Sequence, residues 1–487
     1  MKTDISYRSV AKVLGELLIV EGLVLLLPLV LALVDHERSW IGFTISSVSA
    51  LAIGFLLRIS NRGRPVTIRR REGFLLVSMS WIVFSLIGMI PYTMAVVPLS
   101  VSDAFFETVS GFTTTGATTI ADVEVLTKAL LLWRSMTQWI GGLGIILFML
   151  ALLPQLNEKG GIPMFNAETT GITHDKLYPR IRQTASMLWL VYIVLSSILC
   201  ALLWVGPMDF FDSVCHAMTA MSTGGFSTKN ASLAYWNSDY LSVVLTIFMF
   251  LGGVNFGLIY GLCRGRVREL FRNDVFKAYA LIVGCAYIGT AAALLIEGKT
   301  HGVSELLVQP MFHIVSDITT TGFSLADFSH WGPFCLMITM ILMVIGGCAG
   351  STSGAVKVDR IVALNRNLLN QIKLSLYPKR IMTVRVNGSV VSETEMARVM
   401  AFISIYLLLI LIGTLLLTVN GLEVLDSFFA TLSCIGNNGL GYGLTGAAGG
   451  YHLLPEASKW VMSFLMLAGR LELFSMLVIL FPIFWRR

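Results

Sequence analysis

Four segments of the 487-residue chain share one frame. The first reads Asp103-Ala-Phe-Phe-Glu-Thr-Val-Ser-Gly-Phe-Thr-Thr-Thr-Gly116. The others run from Asp212 to Gly225, from Gln309 to Gly322 and from Asp426 to Gly439. In each, the closing glycine stands thirteen residues after a polar starter. It is preceded by Thr114-Thr115, Thr223-Gly224, Thr320-Thr321 and Asn437-Asn438. The chemistry open to such segments is coordination by backbone oxygen. Non-helical backbone at membrane depth leaves carbonyls unpaired, and it is tolerated only where it is buried in protein or lines a wet cavity. Four copies around one axis would supply rings of four carbonyls that replace the hydration shell of a cation. Glycine admits the backbone angles that turn those carbonyls inward. The extended stretches expected are 114–118, 223–227, 320–324 and 437–441.

Between starter and glycine lies an apolar stretch of about three helical turns. An Asp before such a stretch signals a helix N-cap. Each copy therefore reads as a short re-entrant helix running inward. The partially negative C-terminal ends of the four would converge and favour a cation.

The rest of the chain supplies a membrane. It is 55% hydrophobic and 13% charged, which excludes an ordinary soluble domain. Ten apolar segments are candidate spans: 14–33, 41–57, 74–97, 130–153, 188–205, 241–263, 275–296, 334–345, 400–419 and 460–485. The first carries Glu16 and Glu21 and lacks a small-residue cleavage site, so a retained helix is expected rather than a signal peptide. Basic loops at 58–71, 264–277 and 357–398 fall on one side, together with the connection from Lys159 to Arg182 and both termini. Arg38, Lys128, Arg134, Lys229, Lys299 and Lys459 fall on the other, and Arg470 lies within a span. The positive-inside rule makes the basic side cytoplasmic. Contact with anionic lipid accounts for this surplus, with docking of a cytosolic partner second, and no nucleic acid is needed. The seven cysteines form no C-x-x-C pair and read as small hydrophobes rather than a disulfide or metal framework.

Each closing glycine is followed by a long apolar helix with a small-residue pair: Gly141-Gly142, Gly252-Gly253, Gly346-Gly347 and Ala468-Gly469. The repeating unit is helix, half-helix with loop, helix, and such self-similarity is architectural evidence. The expected fold is an all-α polytopic membrane protein. A two-helix extension (1–72) precedes four units at 73–155, 156–272, 273–391 with a broken second helix, and 392–487. Only the third unit is expected to carry such a break.

The Thr-Thr-Thr-Gly, Ser-Thr-Gly-Gly-Phe-Ser-Thr, Thr-Thr-Thr-Gly-Phe-Ser and Gly-Asn-Asn-Gly-Leu-Gly loops resemble the four filters of the Trk/Ktr/HKT superfamily of potassium transporters. The length and the two extra helices are similar to its bacterial TrkH/TrkG branch. The resemblance implies four pore repeats in one protomer of a homodimer in the bacterial inner membrane. It implies K+ as the transported ion, no organic cofactor in this chain, and a cytosolic TrkA-type nucleotide-binding ring as gating partner. Glycine at all four filter positions goes with potassium preference in that superfamily; Asn437 and Asn438 depart from its threonine pattern.

Two gating candidates lie beneath the loops. The third unit runs through Gly346, Gly347, Cys348, Ala349, Gly350, Ser351, Thr352, Ser353 and Gly354, a composition that breaks a helix. The resemblance implies an intramembrane gate there; the alternative is a packing kink. Arg470 is a charge inside a span, where such residues face a cavity or a partner. It is expected to be an electrostatic barrier below the filter; the alternative is an ion pair or a cap on carbonyls. Glu472 is near in sequence but diverges on a helix. His216 and His313 share one position of the frame with Glu107 and Ala430, so packing or hydrogen bonding is expected of them rather than metal binding. Asp122, Glu124, Asp239 and Asp327 read equally as an acidic mouth or as ordinary loop charges. Other classes weighed are a proton- or sodium-coupled secondary transporter, whose repeats are typically inverted, and a membrane enzyme, for which the spans hold few titratable groups. The phosphate-binding G-x-x-x-x-G-K-[ST] motif is absent.

Overall fold

The computed structural model describes residues 5–62, 68–144, 181–299, 302–326, 328–380, 382–446 and 449–486. Arg64, Asp327 and Arg487, the 145–153 end of the fourth span and the 159–180 connection lie outside the described residues. The described chain is helical apart from loops and one hairpin, Arg385–Val386 with Ser389–Val390. Six helices are each long and apolar enough to cross a membrane: Tyr7–Val34, Trp40–Ser60, Arg70–Thr93, Ala185–Val205, Asp274–Ile296 and Glu393–Val419. The protein is an all-α polytopic membrane protein.

The two leading helices, Tyr7–Val34 and Trp40–Ser60, meet at glycines. A Cβ on Gly15 would lie 2.8 Å from the carbonyl oxygen of Gly54, and one on Gly54 would lie 2.8 Å from that of Gly15. Within lipid, small residues of this kind let helix backbones approach closely.

Four units follow. Their outer helices are Arg70–Gly88, Ile181–Val205, Asp274–Ile296 and Glu393–Val419. Their half-helices are Val101–Phe112, Phe210–Met221, Val303–Ile318 and Val424–Gly436. Their inner helices begin at Lys128, Asp239, Pro333 and Glu456.

The polar starters are not the N-caps. Ser100 caps the first half-helix, its Oγ accepting from the Asp103 amide, and Asp209 caps the second by accepting from the Asp212 amide at 2.6 Å. The apolar run begins upstream of each starter, so Asp103, Asp212 and Asp426 fall in the first turn, where a carboxylate opposes the positive helix end. Gln309 falls inside the longer third half-helix.

The helix breaks are more widely shared than composition indicated. The third inner helix does stop at Ile345 and resume at Val358. The second also bends, by 107°, between Gly252 and Phe256. The fourth breaks after Arg470, where Glu472 and Leu473 take φ of 58° and 47°. The cause is the descending half-helices, which need room between the inner helices. A Cβ on Gly141 would overlap the carbonyl of Phe112, which ends the first half-helix. A Cβ on Gly142 would lie 2.8 Å from Ser222 at the end of the second, and one on Gly253 would lie 2.8 Å from Thr319 at the end of the third. The pairs of the first two units thus admit one half-helix end from their own unit and one from the next, whereas Gly346 and Gly347 face the broken segment itself.

Candidate functional site

Each half-helix ends in the same backbone motif. Thr114, Thr223, Thr320 and Asn437 take the left-handed conformation, with φ of 54°, 53°, 56° and 55°. The next residue's amide then reaches back five positions: Thr115 to Ser110, Gly224 to Thr219, Thr321 to Ser316 and Asn438 to Ser433, at 2.8–2.9 Å. This is the Schellman closure, usually built on glycine. Asn is at ease in the left-handed region, whereas a β-branched Thr there is a genuine outlier. Three units therefore hold strain on the order of 1–3 kcal/mol each, of the kind that marks functional sites. Two residues on, Gly116, Gly225, Gly322 and Gly439 have φ of 81°, 76°, 77° and 82°.

The four loops close into a ring. A Cβ on Gly116 would overlap the carbonyl oxygen of Gly224, one on Gly225 that of Thr321, one on Gly322 that of Asn438, and one on Gly439 that of Thr115. The cyclic order follows the chain, and every carbonyl in it belongs to the residue before a closing glycine. All twelve residues expected from sequence at the loops are together in this ring. Thr114, Thr115, Thr223, Thr320, Thr321, Asn437 and Asn438 are buried, at 1% exposure or less.

The ring is braced from behind, differently in each unit. Glu107 and Arg134 are buried and paired at 2.9 Å. Glu107 accepts from the Thr119 amide at 2.9 Å and from the Thr118 hydroxyl at 3.0 Å. Arg134 donates to the Ser227 carbonyl at 3.0 Å and lies over the Phe226 ring, tying the first loop to the second. Gln138 donates to the Gly224 carbonyl at 2.7 Å and accepts from the Phe226 amide at 3.1 Å. His216 meets Ser227 Oγ at 3.0 Å, and His313 Nε2 accepts from the Ala326 amide at 3.2 Å. The two histidines thus brace their own loops, and no group of three potential metal-ligating side chains occurs among the described residues. The fourth unit has Ala430 at the equivalent position; there Tyr451 reaches the Gly439 carbonyl at 3.1 Å. Asn437 Nδ2 donates to Thr115 Oγ1 and to the Met466 carbonyl, both at 3.0 Å, closing the fourth loop onto the first.

The sequence marks Glu107 only as the counterpart of His216, His313 and Ala430 and Arg134 only as a basic residue on the outer side, and it does not single out Gln138. A buried Glu and a buried Arg in a membrane protein each imply a partner, and that is the signal that would have joined them.

Beneath the ring, the break in the third inner helix is bonded to the second, third and fourth units. The Gly354 amide donates to Thr320 Oγ1 at 2.8 Å, and the Ala355 amide donates to the Gly436 carbonyl at 3.0 Å. Thr352 Oγ1 lies 3.1 Å from the carbonyls of Met221 and Gly252. The Cys348 amide donates to the Gly253 carbonyl at 2.8 Å, and Asn255 Nδ2 donates to the Ala349 carbonyl at 2.8 Å. Within the segment, Ser353 Oγ accepts from the Gly347 amide at 3.2 Å and lies 2.8 Å from Ser351 Oγ. Gly346 has φ of 75° and Gly350 of 73°.

Arg470 joins this segment. It donates to the Thr352 carbonyl at 2.8 Å, to the Gly141 carbonyl at 2.6 Å and to the Gly142 carbonyl. It therefore caps carbonyls from the first and third units while keeping its charge below the ring. Glu472 pairs instead with Arg360, whose guanidinium lies over the Phe402 ring.

The acidic loop residues serve local contacts. Asp122 accepts from Asn230 Nδ2 at 2.6 Å, Glu124 accepts from the Asn230 amide at 3.1 Å, and Asp239 accepts from the Ser304 hydroxyl.

Comparison with known proteins follows the same outline. A family model described as TrkH, cation transport protein, matches residues 41–278 and 299–484. The chain is 34% identical to the Trk system potassium uptake protein TrkH of Escherichia coli (strain K12), over 99% of both chains. It is 32% identical to the Trk system potassium uptake protein TrkG of the same strain, over 98% of this chain and 99% of that one. Its fold superposes on the crystal structure of the potassium transporter TrkH from Vibrio parahaemolyticus with a TM-score of 0.88 and 30% identity, covering 99% of this chain and all of the other.

Proposed function

Because the chain belongs to the TrkH family of cation transport proteins, whose members are transporters and not enzymes, we propose that it carries potassium into the cell through the ring of four loops. The closed ring supports this best: four left-handed turns, four glycines and four carbonyls repeat one geometry around one axis. In this account K+ is the transported ion. Thr114, Thr115 and Gly116 form its selectivity filter with Thr223, Gly224 and Gly225, with Thr320, Thr321 and Gly322, and with Asn437, Asn438 and Gly439. The relatives named for potassium uptake support the choice of ion.

Backbone carbonyls select by replacing water around a bare cation, so they must be held at fixed positions. The braces from Glu107, Arg134, Gln138, His216, His313, Asn437 and Tyr451 supply that rigidity. Asn437 and Asn438 do not disturb the pattern, since Asn437 adopts the same backbone as the three threonines with less strain.

Gating is assigned to Gly346, Gly347, Gly350, Ser351, Thr352, Ser353 and Gly354 together with Arg470. These residues form a segment held by hydrogen bonds from all sides directly beneath the ring, and the guanidinium there repels a descending cation. The relatives are named as parts of a Trk system, which supports work alongside regulatory components. We assign these as a cytosolic nucleotide-binding ring and a second copy of the chain. The exposed apolar residues Leu368, Leu369, Ile372 and Leu376 on the helix after the break suit such a contact. The basic loops support a topology with both termini in the cytoplasm and the protein in a bacterial inner membrane.

The test is growth. Cells lacking their own potassium uptake and expressing this chain should grow at low external potassium. Failure to grow, with the protein present in the membrane, would count against the proposal.

A further inference from the structure

Outside the ring, one acid stands alone in the middle of the membrane. Glu21 is fourteen residues from the start of the first span, Tyr7–Val34, and thirteen from its end. It is 3% exposed, and neither carboxylate oxygen has a hydrogen-bond partner among the described residues. It borders a small apolar cavity of about 10 Å³ lined also by Val20, Val24, Phe84, Phe112, Trp133 and Ile140. Four helices meet there: the leading helix, the outer and inner helices of the first unit, and the first half-helix through its last residue, Phe112.

Among the described residues, no charge on the elements packed around Glu21 pairs with it. On its own helix, Tyr7, Arg8, Lys12 and Glu16 lie toward the opposite end. The second half of the span, Leu26–Val34, carries no titratable residue. On Trp40–Ser60 the titratable residue is Arg58, at the end beside Gly15. On Arg70–Gly88 they are Arg70, Arg71 and Glu72 at the first turn, where Glu72 caps the helix and holds the Ser6 amide. Tyr92 follows that helix. On the first half-helix they are Asp103, paired with Lys459, and Glu107, paired with Arg134 of the inner helix; Lys128 begins that inner helix.

An ionised carboxylate without partner or water is not sustained in such surroundings. We propose that Glu21 is a membrane-embedded proton-binding site, and that in its protonated form it seats the leading helix against the outer helix of the first unit, at the cavity that Phe112 also lines. Loss of the proton would put a bare charge against Phe112, two residues before Thr114. The charge would be relieved only by drawing water into the contact. The ligand class is a proton. The consequence for transport rests on the proposed function; the protonation itself does not.

The experiment compares the full-length chain in lipid with Glu21→Gln, which mimics the neutral side chain. The infrared difference between the two at neutral pH should contain the C=O band of a protonated carboxyl. A carboxylate band in its place overturns the site. Rubidium uptake by proteoliposomes is then followed as pH rises. Wild type should lose uptake roughly tenfold per pH unit above the point where the band disappears, while Glu21→Gln keeps it. A wild-type profile without that loss, or a loss that Glu21→Gln shares, overturns the link to the ring. Uptake is measured with the cytosolic partner present; a wild-type chain that then moves no rubidium at any pH defeats the proposed function, and the infrared band decides the proton site alone.

Discussion

Replacing Arg470 with alanine should open the pathway. The guanidinium holds three carbonyls, and the one on Thr352 is its tie to the segment under the ring. A hydrogen bond from a charged donor contributes about 1.5–3 kcal/mol. At about 1.4 kcal/mol per factor of ten, losing that tie raises the open-to-closed ratio of the segment roughly tenfold to a hundredfold. Removal of the positive charge adds to the effect by admitting cations below the ring. The assay is rubidium flux into proteoliposomes without any cytosolic partner, at matched protein density. Arg470→Lys separates the two contributions, since lysine keeps the charge but lacks the planar fork that spans several carbonyls. Flux in Arg470→Ala equal to wild type would refute both the tie and the barrier.

Three further outcomes follow from the same geometry. Gly225→Ala forces a side chain onto the Thr321 carbonyl at a φ of 76°, a strain of about 1–3 kcal/mol before the overlap; potassium-dependent growth should be lost while the protein still reaches the membrane. Deleting part of the segment from Gly350 to Gly354 removes its bonds to Thr320, Met221 and Gly252; rubidium flux should become independent of a cytosolic partner. Glu107→Gln leaves Arg134 buried without its counter-charge, which costs about 3–5 kcal/mol; thermal unfolding in detergent should shift down markedly, and replacing both residues with apolar side chains of similar volume should recover much of the loss.

The repeat was readable because it is local. A short apolar run closed by glycine at a fixed distance survives in one sequence without reference to partners. The helix starts were misplaced because an N-cap is set by whichever side chain reaches the free amides, and Ser100 and Asp209 do so ahead of Asp103 and Asp212. The bend in the second inner helix was missed because Gly252-Gly253 is compatible with a straight helix; the Thr319 and Tyr279 side chains that crowd Gly253 come from elsewhere in the chain. For the same reason Arg470 stood out as a charge in a span while its acceptors, more than a hundred residues away in sequence, did not. Glu107 and His216 were seen to share a position, but their work as braces depends on where the loop returns eleven residues later.

The central claim is that the four loops bind the transported cation at one ring. The most direct measurement is anomalous X-ray scattering from crystals of the protein grown in rubidium. The account predicts a peak on the axis, equidistant from the carbonyl oxygens of Thr115, Gly224, Thr321 and Asn438. Rubidium bound elsewhere in the membrane region, with the ring empty in a transport-active preparation, would contradict it.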